Sequence, residues 1–67
     1  MESLKNRLKD YRTARGLTQA DLAVRAQVSR KTINTIENAI FVPSTILALR
    51  LARVLEAKVE DLFYLED

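Results

Sequence analysis

Apolar residues in the first third of the chain fall at Leu4, Leu8 and Tyr11, steps of four and three that draw one stripe along a helix. Ser3 stands where a hydroxyl can cap that helix and Gly16 where a left-handed stop belongs, so the pattern predicts a first helix over about residues 4–15. Leu17 then points inward, and Thr18-Gln19-Ala20-Asp21 opens a second helix over about residues 18–26. There the Thr18 hydroxyl can accept from the amide of Asp21, an acid also favoured by the helix dipole. Leu22, Ala23 and Ala26 give this helix a short apolar face of small residues. Ser29 caps a third helix over about residues 29–38, with Ile33 and Ile36 inward and Val28 and Ile40 extending the apolar surface. Pro43-Ser44 opens a fourth over about residues 44–55. Its face of Ile46, Leu47, Leu49, Leu51, Val54 and Leu55 is wide enough for the central core helix. A short fifth helix over about residues 59–64 follows Lys58, although residues 63–65 can also be extended. With one glycine and one proline as punctuation, the fold class is all-α: a compact five-helix domain filling residues 1–67 as a single unit.

The second and third helices are joined by three or four residues, and the first of the pair turns small side chains toward the other. That is a helix-turn-helix arrangement. Ala23 lets the third helix cross closely. Once Ile33 and Ile36 face inward, Arg30, Lys31, Asn34, Thr35 and Asn38 face outward. This face carries short or cationic hydrogen-bonding groups and no bulk, which suits a helix entering a DNA major groove.

Charge sharpens this picture. Residues 1–31 carry eight Lys and Arg against three acids, whereas residues 56–67 carry one Lys against five acids. Such asymmetry suggests a polyanion-facing pole and an opposite pole, against the alternative of an ordinary solvated surface. The absence of cysteine and histidine removes disulfides, thiol chemistry and the commonest metal ligand and general base. A Ser29 or Ser44 nucleophile would need a lysine base, and both serines are explained as helix caps, so the chain is not expected to be an enzyme. No cofactor or metal is expected, nor any small-molecule ligand. No apolar run approaches a membrane span and the N-terminus is not a leader, so the expected location is cytoplasmic.

Residues 17–23, LTQADLA, then residues 28–37, VSRKTINTIE, then Pro43-Ser44 and Leu49, resemble the Cro/repressor-type (XRE-type) helix-turn-helix family from about Leu8 to Phe63. The resemblance implies a five-helix, DNA-binding transcriptional regulator, commonly dimeric. Carried over by position, Arg30, Lys31 and Thr35 fall on base-contacting sites with Asn34 beside them. Thr18, Gln19, Thr32 and Asn38 fall on phosphate-contacting sites, and Arg12 and Glu37 on an ion pair tying the first helix to the third. The sequence departs from the family at Gln27, Ala39 and Glu56, which replace turn glycines, and at Lys58, which replaces a capping hydroxyl. Ile40, Phe41 and Val42 make an unusually apolar loop, expected to pack under Pro43.

One such unit reads too few base pairs to select an operator among about 10⁶ competing sites, so a homodimer on a palindromic double-stranded site is expected, acting as a repressor. The acidic pole offers more apolar residues than one short helix can bury, which puts the expected dimer interface at Leu62, Tyr64 and Leu65. The competing reading is an antitoxin or other interaction module whose main partner is a protein. The basic outward face of the third helix argues against it, because a protein-docking helix carries exposed apolar anchors.

Overall fold

The N-terminal stripe divides between two conformations. In the computed structural model, which describes residues 2–67, Ser3–Asn6 form a strand, β1, and only Leu8–Ala14 form helix α1. The predicted first helix therefore starts four residues late, and Ser3 does not cap it. The Ser3 hydroxyl instead donates to the carbonyl of Glu66 at 3.3 Å. The cause is a partner far along the chain. Phe63–Glu66 form strand β2, antiparallel to β1, with Leu4 opposite Leu65 and Asn6 opposite Phe63. Spacings of four and three do not reveal this, because Leu4 reaches the core equally well from a strand that feeds a helix beginning at Leu8. The fold is thus five helices plus a two-stranded sheet, and all-α describes it only approximately.

Between the strands run α2 (Gln19–Ala26), α3 (Arg30–Glu37), α4 (Thr45–Leu55) and α5 (Val59–Leu62). Three of these starts are fixed by hydroxyls. Thr18, Ser29 and Ser44 accept from the amides of Asp21, Thr32 and Leu47 at 3.0–3.1 Å. Four helices end by one device, in which a residue of positive φ lets the next amide reach back five residues. Gly16 does this after α1, Gln27 after α2, Ala39 after α3 and Glu56 after α4, at φ 69, 62, 59 and 53°. Only the first is glycine. The left-handed turns expected at the three non-glycine positions are therefore present, each against the steric preference of its Cβ.

Leu8, Leu22, Ile33, Ile36, Leu51, Leu55 and Leu62 are fully enclosed at the centre, one or more from each helix. Burying each such side chain contributes about 1.5–3 kcal/mol. Ala23 and Ala26 are buried on α2, which packs against both α3 and α4. The expected breadth of the α4 face is corrected. Leu47, Leu51 and Leu55, spaced by four, take the core, while Ile46 and Leu49 are 65% and 56% exposed. An outer helix of a domain this small has one stripe covered, not most of its circumference. The loop Ile40-Phe41-Val42 does not pack under Pro43 either; all three side chains are exposed, and Ile40 does not extend the α3 apolar surface. Among the described residues, no helix is long and apolar enough to cross a membrane.

Candidate nucleic-acid interface

Helix α3 is held from three sides before its outer face is considered. Its inner face seats Ile33 and Ile36 in the core. At its C-terminal end the Asn6 amide donates to the Ile36 carbonyl at 2.8 Å, while the Asn6 oxygen accepts from Leu8 N at 3.1 Å. One side chain thus caps α1 and ties β1 to α3. Sequence reading missed Asn6. Its signal was an asparagine two residues before an apolar helix start, a common local turn former.

The third attachment is Glu37. Arg12 donates to it through Nε at 2.6 Å and Nη2 at 3.2 Å, and through Nη1 to the carbonyl of Leu17 at 2.8 Å. The two side chains are 10% and 4% exposed, so the expected α1–α3 pair exists and is largely shielded from water. The hydrogen bonds it donates to the Glu37 carboxylate raise the Arg12 pKa above the ordinary arginine value, so the guanidinium stays charged.

Gln19, the first residue of α2, also leans on this pair. Its amide nitrogen donates to Glu37 Oε1 at 3.1 Å and to Asn34 Oδ1 at 3.3 Å. Both of its side-chain protons are therefore engaged inside the protein. The backbone N–H of Gln19, in the first turn of α2, belongs to the set a helix leaves without an internal partner. Thr18 spends its oxygen on the Asp21 amide, and Asp21 answers by accepting from Thr18 N at 2.9 Å. That bond from Thr18 holds the Asp21 carboxyl below its ordinary range. Thr13, Thr18, Gln19 and Arg30 line a shallow cleft between the α1–α2 corner and the start of α3.

On the outer face, Arg30, Lys31 and Asn34 are exposed and share a second cleft with Gln19. Thr35 is half-buried, and its hydroxyl donates to the Thr32 carbonyl at 2.9 Å. The Thr32 hydroxyl lies 2.8 Å from that of Ser29. Asn38 sits at the far end of α3, its amide donating to the carbonyl and the side-chain oxygen of Asn34 at 2.9 and 3.1 Å. Arg30, Lys31, Asn34, Gln19 and Asn38 thus form one connected surface. Thr32 and Thr35 lie toward its flank, both already hydrogen-bonded within the helix.

Of the three expected interface residues, Leu62 is corrected. It is 0% exposed, the one fully buried side chain of its short helix, with Val59 packed beside it against the core. Tyr64 is half-buried with the Arg7 guanidinium 4.2 Å above its ring, and Leu65 is 63% exposed.

Residues 4–63 match the family described as a helix-turn-helix domain. An uncharacterized HTH-type transcriptional regulator of Methanocaldococcus jannaschii is 47% identical over 64 residues, spanning 96% of this chain and 97% of that protein. The uncharacterized HTH-type transcriptional regulator YgzD of Bacillus subtilis is 38% identical over 64 residues, spanning 96% of this chain and 97% of that protein. Among solved structures, the restriction-modification controller protein C.AhdI from Aeromonas hydrophila superposes with a TM-score of 0.78. It is 31% identical, with 82% of this chain and 83% of that one covered. A fold that seats α3 across α2 with a basic outer face, matched over nearly its whole length by such regulators, establishes that this chain belongs to the Cro/repressor-type (XRE-type) helix-turn-helix family of DNA-binding transcriptional regulators.

Proposed function

We propose that the chain acts as one DNA-binding unit that represses transcription by occupying a palindromic operator as a homodimer. Helix α3 enters the major groove, with Arg30, Lys31, Asn34 and Thr35 at base edges. Thr18, Gln19, Thr32 and Asn38 contact flanking phosphates, Gln19 through its backbone N–H, since its side-chain protons are engaged at Glu37 and Asn34. The observation that carries this reading is the exposed Arg30, Lys31 and Asn34 cluster on a helix locked to α1 by a shielded ion pair. A rigid helix presenting cations and an amide, with no apolar anchor among them, fits a base-pair edge better than a protein surface.

A second copy is supported by the apolar face at the acidic pole. Leu4, Ala48, Leu49, Val59 and Phe63 line a groove between the sheet, α4 and α5, and exposed Leu65 pairs with Leu4 at its rim. Two copies joined there would carry two recognition helices to successive turns of DNA, about 34 Å apart.

The test is selection of bound duplexes from random sequence. Recovery of a palindromic consensus whose binding falls steeply with salt supports the reading. Recovery of no consensus, with sequence-independent affinity throughout, overturns it.

A further inference from the structure

Asparagine is usually read as the partner of adenine, because its amide offers one acceptor and one donor to match adenine N6 and N7. In this protein the acceptor of Asn34 is already used, and the chain of bonds that uses it has a fixed direction. A carboxylate only accepts, so Glu37 must receive from Gln19, which turns the Gln19 nitrogen inward. The remaining proton of that nitrogen points at Asn34 Oδ1, at 3.3 Å. From the other side, the backbone carbonyl of Asn34 only accepts, so Asn38 must present its nitrogen, whose second proton reaches the same Oδ1 at 3.1 Å. Two donors of independently fixed orientation therefore converge on one oxygen and occupy both of its lone pairs. The opposite amide orientation of Asn34 would set three N–H groups against one another. Among the described residues, Asn34 Nδ2 makes no hydrogen bond, and Asn34 is exposed and lines the cleft shared with Gln19, Arg30 and Lys31.

We propose that Asn34 is a donor-only base reader, its polarity set by the Glu37–Gln19–Asn34–Asn38 relay, so that it selects guanine and forgoes the two-bond pairing with adenine. This rests on α3 being the base-reading helix. Guanine presents two adjacent acceptors, O6 and N7, in the major groove, whereas adenine places an N6 donor beside its single acceptor. That donor would face an oxygen with no free lone pair. Arg30 and Lys31 are donors only as well, so the outward groups of α3 that reach farthest all require acceptor edges.

The experiment has a DNA-free arm and a DNA arm. In the free protein, solvent exchange of side-chain amide protons by NMR is expected to be slower for Gln19 than for Asn34. Protected Asn34 protons would overturn the orientation. In site selection, Asn34→Ala identifies the base pair read by Asn34 as the one position whose preference disappears. The wild type is expected to take guanine there over adenine by about tenfold or more, the range of one good base contact. The Gln19→Met, Asn38→Ala double variant frees the oxygen and is expected to shift that position toward adenine, since lost phosphate contacts cannot change a base preference. Adenine in the wild type, or no shift in the double variant, overturns the proposal while leaving α3 as the reading helix. An Asn34→Ala consensus identical to wild type also overturns it. If Arg30→Ala likewise leaves the consensus unchanged, the α3 reading itself fails.

Discussion

The amide of Asn6 bridges to the carbonyl of Ile36 at 2.8 Å, thirty residues away, while the same side chain caps α1 at Leu8. A strand residue therefore ties the start of the first helix to the last turn of the recognition helix. Asn6→Ala leaves Leu8 N without that acceptor and frees the end of α3. The expected loss is about 1–3 kcal/mol in urea melts, at the lower end because the site is only half-buried. Unchanged stability would count against the bridge. Asn6→Asp keeps the cap at Leu8 but opposes an acceptor to the Ile36 carbonyl, and is expected to recover only part of the loss.

The Arg12–Glu37 pair is nearly closed to water, so removing either partner strands a charge. Single substitutions Arg12→Ala and Glu37→Ala are each expected to cost about 3 kcal/mol, near the low end for a buried pair because Gln19 and Leu17 still offer partners. The double variant should cost clearly less than the two singles together. Strict additivity in a double-mutant cycle would mean the side chains do not act as a pair.

Three helices end on left-handed residues that carry a Cβ, at Gln27, Ala39 and Glu56. Glycine removes a steric cost of about 1–2 kcal/mol there but loses some of it to the greater freedom of the unfolded chain. Ala39→Gly is the cleanest case, since alanine has no side chain that could compensate. It is expected to raise stability by roughly 0.5–1 kcal/mol net of that freedom. A lowered melting temperature would argue that the turn is not strained.

Acid should weaken the start of α2 in a way that traces to one residue. Bonding from Thr18 depresses the Asp21 pKa in the folded state. Its contribution is therefore complete above the unfolded value and is lost as pH falls through the lower, folded one. Asp21→Asn removes this response. Melts of the variant and wild type should converge on acidification and separate toward neutral pH. A constant difference across that range would show that the carboxylate charge is not what the capping box uses.

The tail can be tested without removing it. Deleting residues 64–67 would strip β1 of most of its strand partner, since Tyr64, Leu65 and Glu66 pair with Lys5, Leu4 and Ser3. Leu65→Glu leaves the ladder in place and alters only an exposed side chain. If a second copy covers this face, sedimentation equilibrium should show the variant as a folded monomer with weakened operator binding. A variant that assembles as the wild type does would exclude Leu65 from the contact.

What the sequence determined by itself was local in origin. The capping hydroxyls of Thr18, Ser29 and Ser44, the turn at Gly16, the buried pairs Ile33 and Ile36 or Leu51 and Leu55, and the outward Arg30, Lys31 and Asn34 follow from spacings within one helix. Such interactions are between residues a few positions apart, and residue type announces them. The tertiary structure decided what depends on distant partners. Residues 3–6 form a strand because residues 63–66 offer them a ladder, and no feature of either segment alone distinguishes that from a fraying helix end. Leu62 on α5 and Ile46 on α4 are both apolar helix residues, yet one is enclosed and the other exposed, because the packing of each helix covers one stripe only. The direction of the Asn34 amide was beyond sequence for the same reason. Its oxygen is claimed by Gln19 from another helix, whose own orientation is set by a carboxylate held by Arg12. Hydrogen-bond polarity passes along contacts in space, and only the folded chain brings those four groups together.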